Sequence, residues 1–279
     1  MIENGLVELS RMIYQYCGLN YTDRLMTLRE KISKRVKELD LTYWEYGKYL
    51  KISPLEWDHL IEILTINETY FYREEHQLIE CCSNVLPKLK EKIHTRPIRI
   101  WSAACSTGEE PYTLAMLIHE TKKFPPGSVQ IIGTDINKKV LEKAKNAWYH
   151  NCSFAFRRIP KVLMKKYFVE QDGGYKIIKN IRDMVEFHHL NLLEADQFAP
   201  IGEVDIIFCR NVLIYFDQET IKKVIRNLYQ KLTSGGYLFL GHAESITDLD
   251  LGFQKIDAEK TFYYRKELKQ HEEVPYISR

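Results

Sequence analysis

The sequence predicts an α/β fold in which a mainly parallel sheet, covered by helices on both faces, follows a small all-α domain. Three observations lead to this prediction. Helical periodicity dominates the first part of the chain, and no strand pattern occurs before residue 97. After residue 97, short apolar runs alternate with helical stretches, as they do in parallel sheets. Between residues 150 and 183, a helical piece and a hairpin-like run interrupt the alternation and predict a small antiparallel β-insert.

Length and composition limit the classes of protein to consider. The chain has 279 residues, of which 45% are hydrophobic and 28% charged, which predicts two folded modules and excludes disorder. A net charge of +2 argues against a broad nucleic-acid surface. There is no apolar run of ~18 uncharged residues, no signal-peptide layout and no metal-ligand spacing among the six cysteines. We expect a soluble, cytoplasmic monomer with free thiols, without a metal, membrane insertion or nucleic-acid partner.

Residues 1–66 are predicted to form the helical domain. From residue 22 to 39, apolar residues recur at three- and four-residue steps and form one stripe: Leu25, Leu28, Ile32, Val36 and Leu39. Residues 53–56 (SPLE) have the pattern of a capping box that begins a second helix. Six basic residues between residues 24 and 37 oppose Glu30 alone. This basic face is either a surface that steers an acidic partner or an ordinary solvated face.

The α/β domain is predicted over residues 98–267, between a linker at 67–97 and a polar tail at 268–279. Apolar runs predict strands at 98–103, 129–134, 184–190, 204–209 and 237–241 and an edge strand at 261–265. Helices are predicted at 111–121, 137–147 and 217–233. We expect Gly235 and Gly236 to end the last of these helices through a left-handed C-terminal cap.

Ligands of such sheets bind at the carboxyl ends of the strands, where the sequence places several polar residues. The second predicted strand ends at Asp135, the third at Asn191 and the fourth at Arg210 and Asn211. An acid that closes the second strand commonly accepts hydrogen bonds from both hydroxyls of an adenosine ribose. Asp135 has this position, although it could instead cap the helix that begins nearby.

The loop after the first predicted strand indicates which nucleotide-like ligand fits. It contains one glycine and lacks the GxGxxG pattern of pyrophosphate binders, and its acids Glu109 and Glu110 would repel a phosphate. S-adenosylmethionine fits these residues, because it has a ribose for the strand-end acid and an ammonium group for a carboxylate, and it has no phosphate. The alternative is that both acids simply occupy the first turn of a helix, where the helix dipole favours negative charge.

Five segments then carry a family resemblance. They are 67–74 (NETYFYRE), 101–112 (WSAACSTGEEPY), 191–193 (NLL), 208–217 (FCRNVLIYFD) and 241–245 (GHAES). In this order they resemble the motifs of the CheR family, the chemotaxis receptor methyltransferases, and the resemblance extends from about residue 10 to residue 266.

The resemblance implies a Rossmann-like S-adenosylmethionine-dependent protein-glutamate O-methyltransferase. It would methylate the cytoplasmic helical region of chemoreceptors in membrane arrays and release S-adenosylhomocysteine. By motif match, the residues of the cofactor pocket would be Asn67, Thr69, Arg73, Glu110, Asp135, Asn191, Leu192, Arg210 and Asn211. Arg73 and Tyr215 would lie nearest the methyl group and act in catalysis. On the basic helix, we expect substrate contacts from Arg29, Lys31, Lys34 and Arg35.

The expected chemistry needs few residues. A glutamate side chain, with a pKa near ~4.3, is already a carboxylate at neutral pH, so no general base is required. Arg73 could then hold the acceptor carboxylate and Tyr215 could orient it through its hydroxyl. The alternatives are an arginine that pairs with Glu74 or Glu75, and a tyrosine packed at the edge of the core.

Two other functions remain open at this stage. One is an S-adenosylmethionine-dependent methyltransferase with a small-molecule or nucleic-acid substrate, and the other is a non-catalytic module that binds the cofactor or the receptor. In some family members the β-insert grips a peptide at the receptor's carboxyl end, and their hairpin loop is longer. The link between Phe168 and Tyr175 is about three residues shorter here, so we expect methylation that does not depend on a receptor tail.

Overall fold

The computed structural model describes residues 2–267 and confirms the predicted α/β fold. The polar tail predicted at 268–279 lies outside the described residues. The first four helices are α1 (Ile2–Cys17), α2 (Leu25–Glu38), α3 (Tyr43–Ile52) and α4 (Pro54–Leu64). They enclose a separate apolar core that includes the predicted stripe residues Leu28, Ile32 and Val36. Within the described residues, no helix is long and apolar enough to cross a membrane.

A seven-stranded sheet forms the centre of the second part of the chain, in the order β6-β2-β1-β7-β8-β10-β9. The first five strands in this order are parallel, and the last two are antiparallel to their neighbours. The strands are β1 (Ile98–Ala103), β2 (Val129–Asp135), β6 (Val185–His189), β7 (Val204–Cys209), β8 (Leu232–Leu240), β9 (Phe253–Asp257) and β10 (Phe262–Lys266).

Helices cover both faces of this sheet. They are α5 (Glu75–Glu80), α6 (Leu86–Lys90), α7 (Glu109–Thr121), α8 (Lys138–Asn146), α10 (Lys179–Arg182) and α11 (Gln218–Lys231). Two separate clusters of buried apolar residues pack on the sheet, one of them around Ile100 and Phe208 and the other around Trp101 and Ile207. Because the strands are buried on both faces, their sequences are continuous apolar runs, which explains why they were predicted well.

The β-insert is a three-stranded antiparallel sheet in the order β3-β5-β4. Its elements are β3 (Trp148–His150), α9 (Lys161–Tyr167), β4 (Phe168–Gln171) and β5 (Gly174–Ile177). The short strand β3 was not predicted, because three residues are too few for an alternation pattern. The hairpin turn consists of Asp172 and Gly173, at φ 51° and 72°, and Gly174 already belongs to β5. The turn is therefore one residue earlier than the glycine pair suggested.

The predicted cap at Gly235 and Gly236 is wrong. Helix α11 ends at Lys231, and the extended Leu232 begins β8 directly (φ −80°, ψ 130°). Both glycines lie inside β8, where the pairing with β7 shifts register between Val204 and Ile206. Gly235 has a φ of 71°, which allows the strand to bulge at this point.

The residues predicted as a capping box form half of one. The Ser53 hydroxyl accepts the backbone N–H of Glu56, but the Glu56 carboxylate turns into the helical domain. There, Arg35 donates to both of its oxygens (2.9 and 2.6 Å), and the Tyr46 hydroxyl donates to Oε1 (2.8 Å). Glu56 is 2% exposed, so this pair joins α2 to α4 in the interior. Arg35 therefore has a structural role that its place on the basic face does not predict.

We predict that Arg35→Ala lowers the free energy of unfolding by about 2–4 kcal/mol, because it leaves the buried Glu56 carboxylate without its cation. The neighbouring Lys34→Ala is a matched control. Lys34 is 88% exposed and lies 4.0 Å from Glu38, so its removal changes stability by less than about 0.5 kcal/mol. Urea denaturation of both variants measures the difference, and equal stabilities would contradict the structural role of Arg35.

Candidate active site

A cleft of about 340 Å³ lies at the carboxyl ends of β1, β2 and β7. The linker after α4 forms one wall, and the end of α1 with the first part of α2 forms another. Eight of the predicted catalytic and cofactor residues line it together with Lys31: Asn67, Thr69, Arg73, Glu110, Asp135, Arg210, Asn211 and Tyr215. The structure therefore brings together residues that lie as far apart as 184 positions in the sequence.

Asp135 is the last residue of β2 and is 7% exposed. Its Oδ2 accepts the N–H of Ser106, and its Oδ1 accepts the N–H of Asn137, both at 2.9 Å. Burial raises the pKa of Asp135 to about 6, although both N–H donors oppose the rise. The cap of α8 is Asn137, whose side chain accepts from Lys139 and Val140. The alternative role of Asp135 as a helix cap is thereby removed, and the residue lines a ligand-sized cleft.

The loop after β1 has an unusual backbone. Ala104 and Ser106 have φ values of 61° and 50°, a region that residues with side chains rarely adopt. The Ser106 hydroxyl donates to the carbonyl of Asn67, which joins this loop to the linker (3.2 Å). Such backbone strain is characteristic of sites where the surrounding structure forces a functional geometry.

Of the two loop acids, Glu110 lines the cleft and Glu109 does not. Glu109 is 3% exposed and accepts from the Thr107 hydroxyl, and burial raises its pKa to about 7. Glu110 accepts from the Ser102 hydroxyl (2.7 Å) and from Arg210 Nη1 (3.0 Å). Burial raises the pKa of Glu110 even though the Arg210 charge acts in the opposite direction.

Arg210 lies between two carboxylates, and its side chain is 1% exposed. Besides Glu110, its guanidinium donates to Glu74 Oε2 (3.1 Å) and to the carbonyl of Arg73 (2.6 Å). Burial opposes ionisation of Glu74, but Arg210 and the amide of Asn211 outweigh it, so the pKa of Glu74 lies below its usual value. Although Arg210 borders the cleft, these bonds engage both ends of its guanidinium fork. We therefore assign Arg210 to support of the site.

Arg73 lies on the linker between two residues in left-handed conformation, Tyr72 (φ 64°) and Glu74 (φ 51°). Its Nη1 donates to the carbonyl of Glu68 at 2.7 Å. Within residues 2–267, no ion pair joins Arg73 to Glu74 or Glu75, so the alternative pairing is not formed. Tyr215 ends the short 3₁₀ turn Leu213–Tyr215 after β7 and is half-buried in the cleft wall.

Five predicted residues do not line the cleft: Arg29, Lys34, Arg35, Asn191 and Leu192. Asn191 is 4% exposed and donates to the carbonyl of Tyr16 (2.6 Å), so it attaches α1 to the sheet. The carbonyl of Leu192 accepts from Asn227. Arg29 and Lys34 are exposed residues of α2. The cleft is lined instead by Thr27 and Lys31 of the same helix and by its N-cap residue Arg24, at a spacing of three and four residues.

Two supporting acids were missed as site residues, Glu74 and Glu244. Glu74 lies in the segment 67–74 and Glu244 in the segment 241–245. Their membership of these family motifs was the only sign in the sequence that they belong to the site. Their contacts depend on long-range proximity, which spacing in the sequence does not reveal. Among the described residues, no group of three or more His, Cys, Asp and Glu side chains could hold a metal ion.

Comparisons with known proteins show which family the chain resembles. The family model of the CheR methyltransferase SAM-binding domain matches residues 67–262. Chemotaxis protein methyltransferase 2 of Vibrio cholerae is 35% identical over 90% of this chain and 89% of its own. The chemotaxis protein methyltransferase of Vibrio parahaemolyticus is 38% identical, with coverages of 92% and 95%. The corresponding protein of Escherichia coli K12 is 34% identical, with coverages of 88% and 85%.

We predict that Arg210→Gln lowers the free energy of unfolding by about 3–5 kcal/mol, because Glu74 and Glu110 then share a buried region without their common cation. Arg226→Gln, an exposed change on α11, is the control and stays within about 0.5 kcal/mol of the parent. Urea denaturation at neutral pH gives both values. A loss below about 1 kcal/mol for Arg210→Gln would contradict its supporting role.

Proposed function

The chain belongs to the CheR family of S-adenosylmethionine-dependent methyltransferases, and we propose that its acceptor is a glutamate side chain in the cytoplasmic helical region of a chemoreceptor. The observation that carries the proposal is the shared cleft. A buried acid suited to ribose hydroxyls, Asp135, and a linker arginine suited to a carboxylate, Arg73, line one continuous space. A site for an anionic acceptor therefore adjoins a site for the cofactor.

The residues present fit S-adenosylmethionine. The cleft wall is mostly apolar, and two acids that line it, Glu110 in the first turn of α7 and Asp135 at the end of β2, suit ammonium and hydroxyl donors. Its volume of about 340 Å³ lies within the range of small-molecule sites. When bound, the cofactor supplies a methyl group activated by a positively charged sulfur. We propose that Asp135 accepts the ribose hydroxyls and that Asn67, Thr69 and Asn211 complete the contacts.

The protein's contribution to methyl transfer is then mainly orientation. A glutamate acceptor is ionised at neutral pH, so no group of the cleft has to remove a proton. Arg73 has donors beyond the one bonded to Glu68, and these can hold one carboxylate oxygen while the other reacts. Tyr215 borders the same space from the loop after β7, where its hydroxyl can fix the acceptor's direction. The acceptor carboxylate would become a neutral methyl ester, so the charge that Arg73 holds would be lost in the product.

The acceptor would reach the cleft along α2. Lys31 and Arg24 provide positive charge on the side of α2 that borders the cleft, beside the loop with Tyr215. A receptor segment rich in glutamate is acidic, so these charges would attract and align it. We propose Lys31 as the substrate contact of the predicted basic set. The two-residue hairpin turn of the β-insert agrees with recognition that does not need a receptor tail.

The direct test is transfer of labelled methyl from S-adenosylmethionine to receptor cytoplasmic fragments, followed by mapping of the modified residues. Label that is released by mild base and maps to glutamates supports the proposal. Base-stable label, or label on nucleic acid or a small molecule, would identify a different methyltransferase. Normal cofactor binding without any transfer would favour a non-catalytic module.

We predict that cofactor affinity is constant above about pH 6 and falls about tenfold per pH unit below it. Asp135 must be ionised to accept two hydroxyl hydrogen bonds, and its pKa in the free protein is raised to about 6, so binding competes with protonation below that pH. Asp135→Asn should bind at least about tenfold more weakly at pH 7.5 and lose the acid dependence. Calorimetry between pH 5 and 8 measures both effects.

Glu109→Gln is the matched control, because Glu109 has a raised pKa but does not line the cleft. It should keep the same fall in affinity below pH 6. If Asp135→Asn keeps this fall, the titrating group is another one, such as Glu110, and Asp135 does not bind the ribose.

We also predict that Tyr215→Phe and Arg73→Ala lower kcat by about tenfold or more while cofactor affinity changes less, because both residues act on the acceptor. Tyr175→Phe, in β5 and outside the cleft, should keep parental turnover. Steady-state kinetics at saturating receptor fragment, with cofactor Kd from calorimetry, separates the two effects. Full turnover in either variant would remove that residue from the mechanism.

A further inference from the structure

The loop after β7, residues 211–216, carries Asn211 and Tyr215 into the cleft on an irregular backbone. Asn211 has a φ of 58°, and Val212 has non-helical angles (φ −121°, ψ −34°). Only two N–H groups of this loop bond within it: those of Tyr215 and Phe216 donate to Val212 and Leu213, among the described backbone bonds. Buried backbone N–H groups need partners, so the other donors of the loop must find acceptors elsewhere.

One side chain supplies most of these acceptors. Glu244 Oε1 accepts the N–H groups of Leu213 (2.7 Å) and Ile214 (3.3 Å). Its Oε2 accepts the N–H groups of Asn211 (2.8 Å) and Gly241 (2.6 Å). Glu244 is 4% exposed, and all four donors are backbone groups. The carboxylate thus joins the loop after β7 to the turn after β8.

The geometry requires a carboxylate at this position. Each oxygen accepts two N–H groups, whereas an amide has one oxygen and would direct its own N–H groups at two backbone donors. Gly241 leaves room for the contact. A Cβ at position 241 would lie 2.8 Å from Glu244 Oε2, 2.7 Å from the Asn211 amide nitrogen and 3.0 Å from the Asn211 backbone nitrogen. The turn after β8 is therefore shaped around this side chain.

We propose that Glu244 is a positioning residue that holds Tyr215 and Asn211 in their places relative to the acceptor and the cofactor. It does not line the cleft, so it acts through the backbone of the loop. This inference rests on the proposed function, because it assumes that Tyr215 acts in methyl transfer. It also gives the motif at 241–245 a physical role: Gly241 provides space, and Glu244 provides the acceptors.

A double-mutant cycle between Glu244→Gln and Tyr215→Phe tests the proposal, with kcat for methyl transfer at saturating cofactor and receptor fragment as the readout. If Glu244 acts by positioning the tyrosine hydroxyl, Glu244→Gln lowers kcat about 30-fold in the parent but less than about threefold in Tyr215→Phe. A general loss of folded protein would lower kcat by the same factor in both backgrounds. Asp248→Asn, an exposed change four residues away, is the charge-matched control and should leave kcat unchanged.

Amide hydrogen exchange of the unmodified protein tests the contacts even if Glu244→Gln does not fold. The N–H groups of Asn211, Leu213 and Ile214 should exchange slowly, and the partial clash in Gly241→Ala should speed all three together. Rapid exchange of these three N–H groups in the unmodified protein would overturn this inference and leave the catalytic role of Tyr215 standing. The same holds if the kcat losses of the two single variants multiply in the double variant. Full turnover in Tyr215→Phe would overturn it together with the catalytic role of the tyrosine. If the protein transfers no methyl to receptors, the exchange measurement still decides whether the Glu244 contacts form.

Discussion

The active-site cleft depends on one buried cation. The Arg210 guanidinium reaches Glu110 at the start of α7, Glu74 at the start of α5 and the carbonyl of Arg73 on the linker. Charges this deeply buried are costly to desolvate, so the arrangement is stable only while all its partners are present. As a result, the linker cannot move away from the sheet without leaving a buried carboxylate unpaired. The position of Arg73 over the cleft follows from this restriction.

A second group of constraints acts on the backbone. Among residues 2–267, nine non-glycine residues have positive φ, and five of them belong to the cleft or its linker: Tyr72, Glu74, Ala104, Ser106 and Asn211. Each such conformation costs of order 1 kcal/mol or more and persists because its neighbours enforce it. For two of the five residues, the neighbour is a side-chain carboxylate. Asp135 holds the N–H of Ser106, and Glu244 holds that of Asn211, so the same acids that shape the site also stabilise its strained loops.

The sequence predicted those features that arise from local patterns. Parallel strands buried on both faces are read as apolar runs, and the position of Asp135 follows from where such a run ends. Features that depend on pairing between distant segments were missed. The short strand β3 and the strand β9 have weak patterns, and the glycines at 235 and 236 serve a register shift that only the pairing with β7 creates. Arg35 is expected to contact the substrate because it belongs to a basic helix face, and its buried bond to Glu56, 21 residues away in a pattern that suggests a capping box, cannot be predicted from that face.

Contacts within the structure also reduce the number of basic residues near α2 that are placed to meet a substrate. Of these residues, Arg35 is held by Glu56, and Lys34 lies within 4.0 Å of Glu38. Arg29 and Lys37 do not line the cleft, whereas Lys31 and the N-cap residue Arg24, seven positions apart, do. Exposed charges act over ~8 to 10 Å at physiological ionic strength, so those nearest the cleft contribute most to the attraction of an acidic segment. The proposed alignment of the substrate therefore rests on the few charges beside Tyr215 and not on the whole helix face.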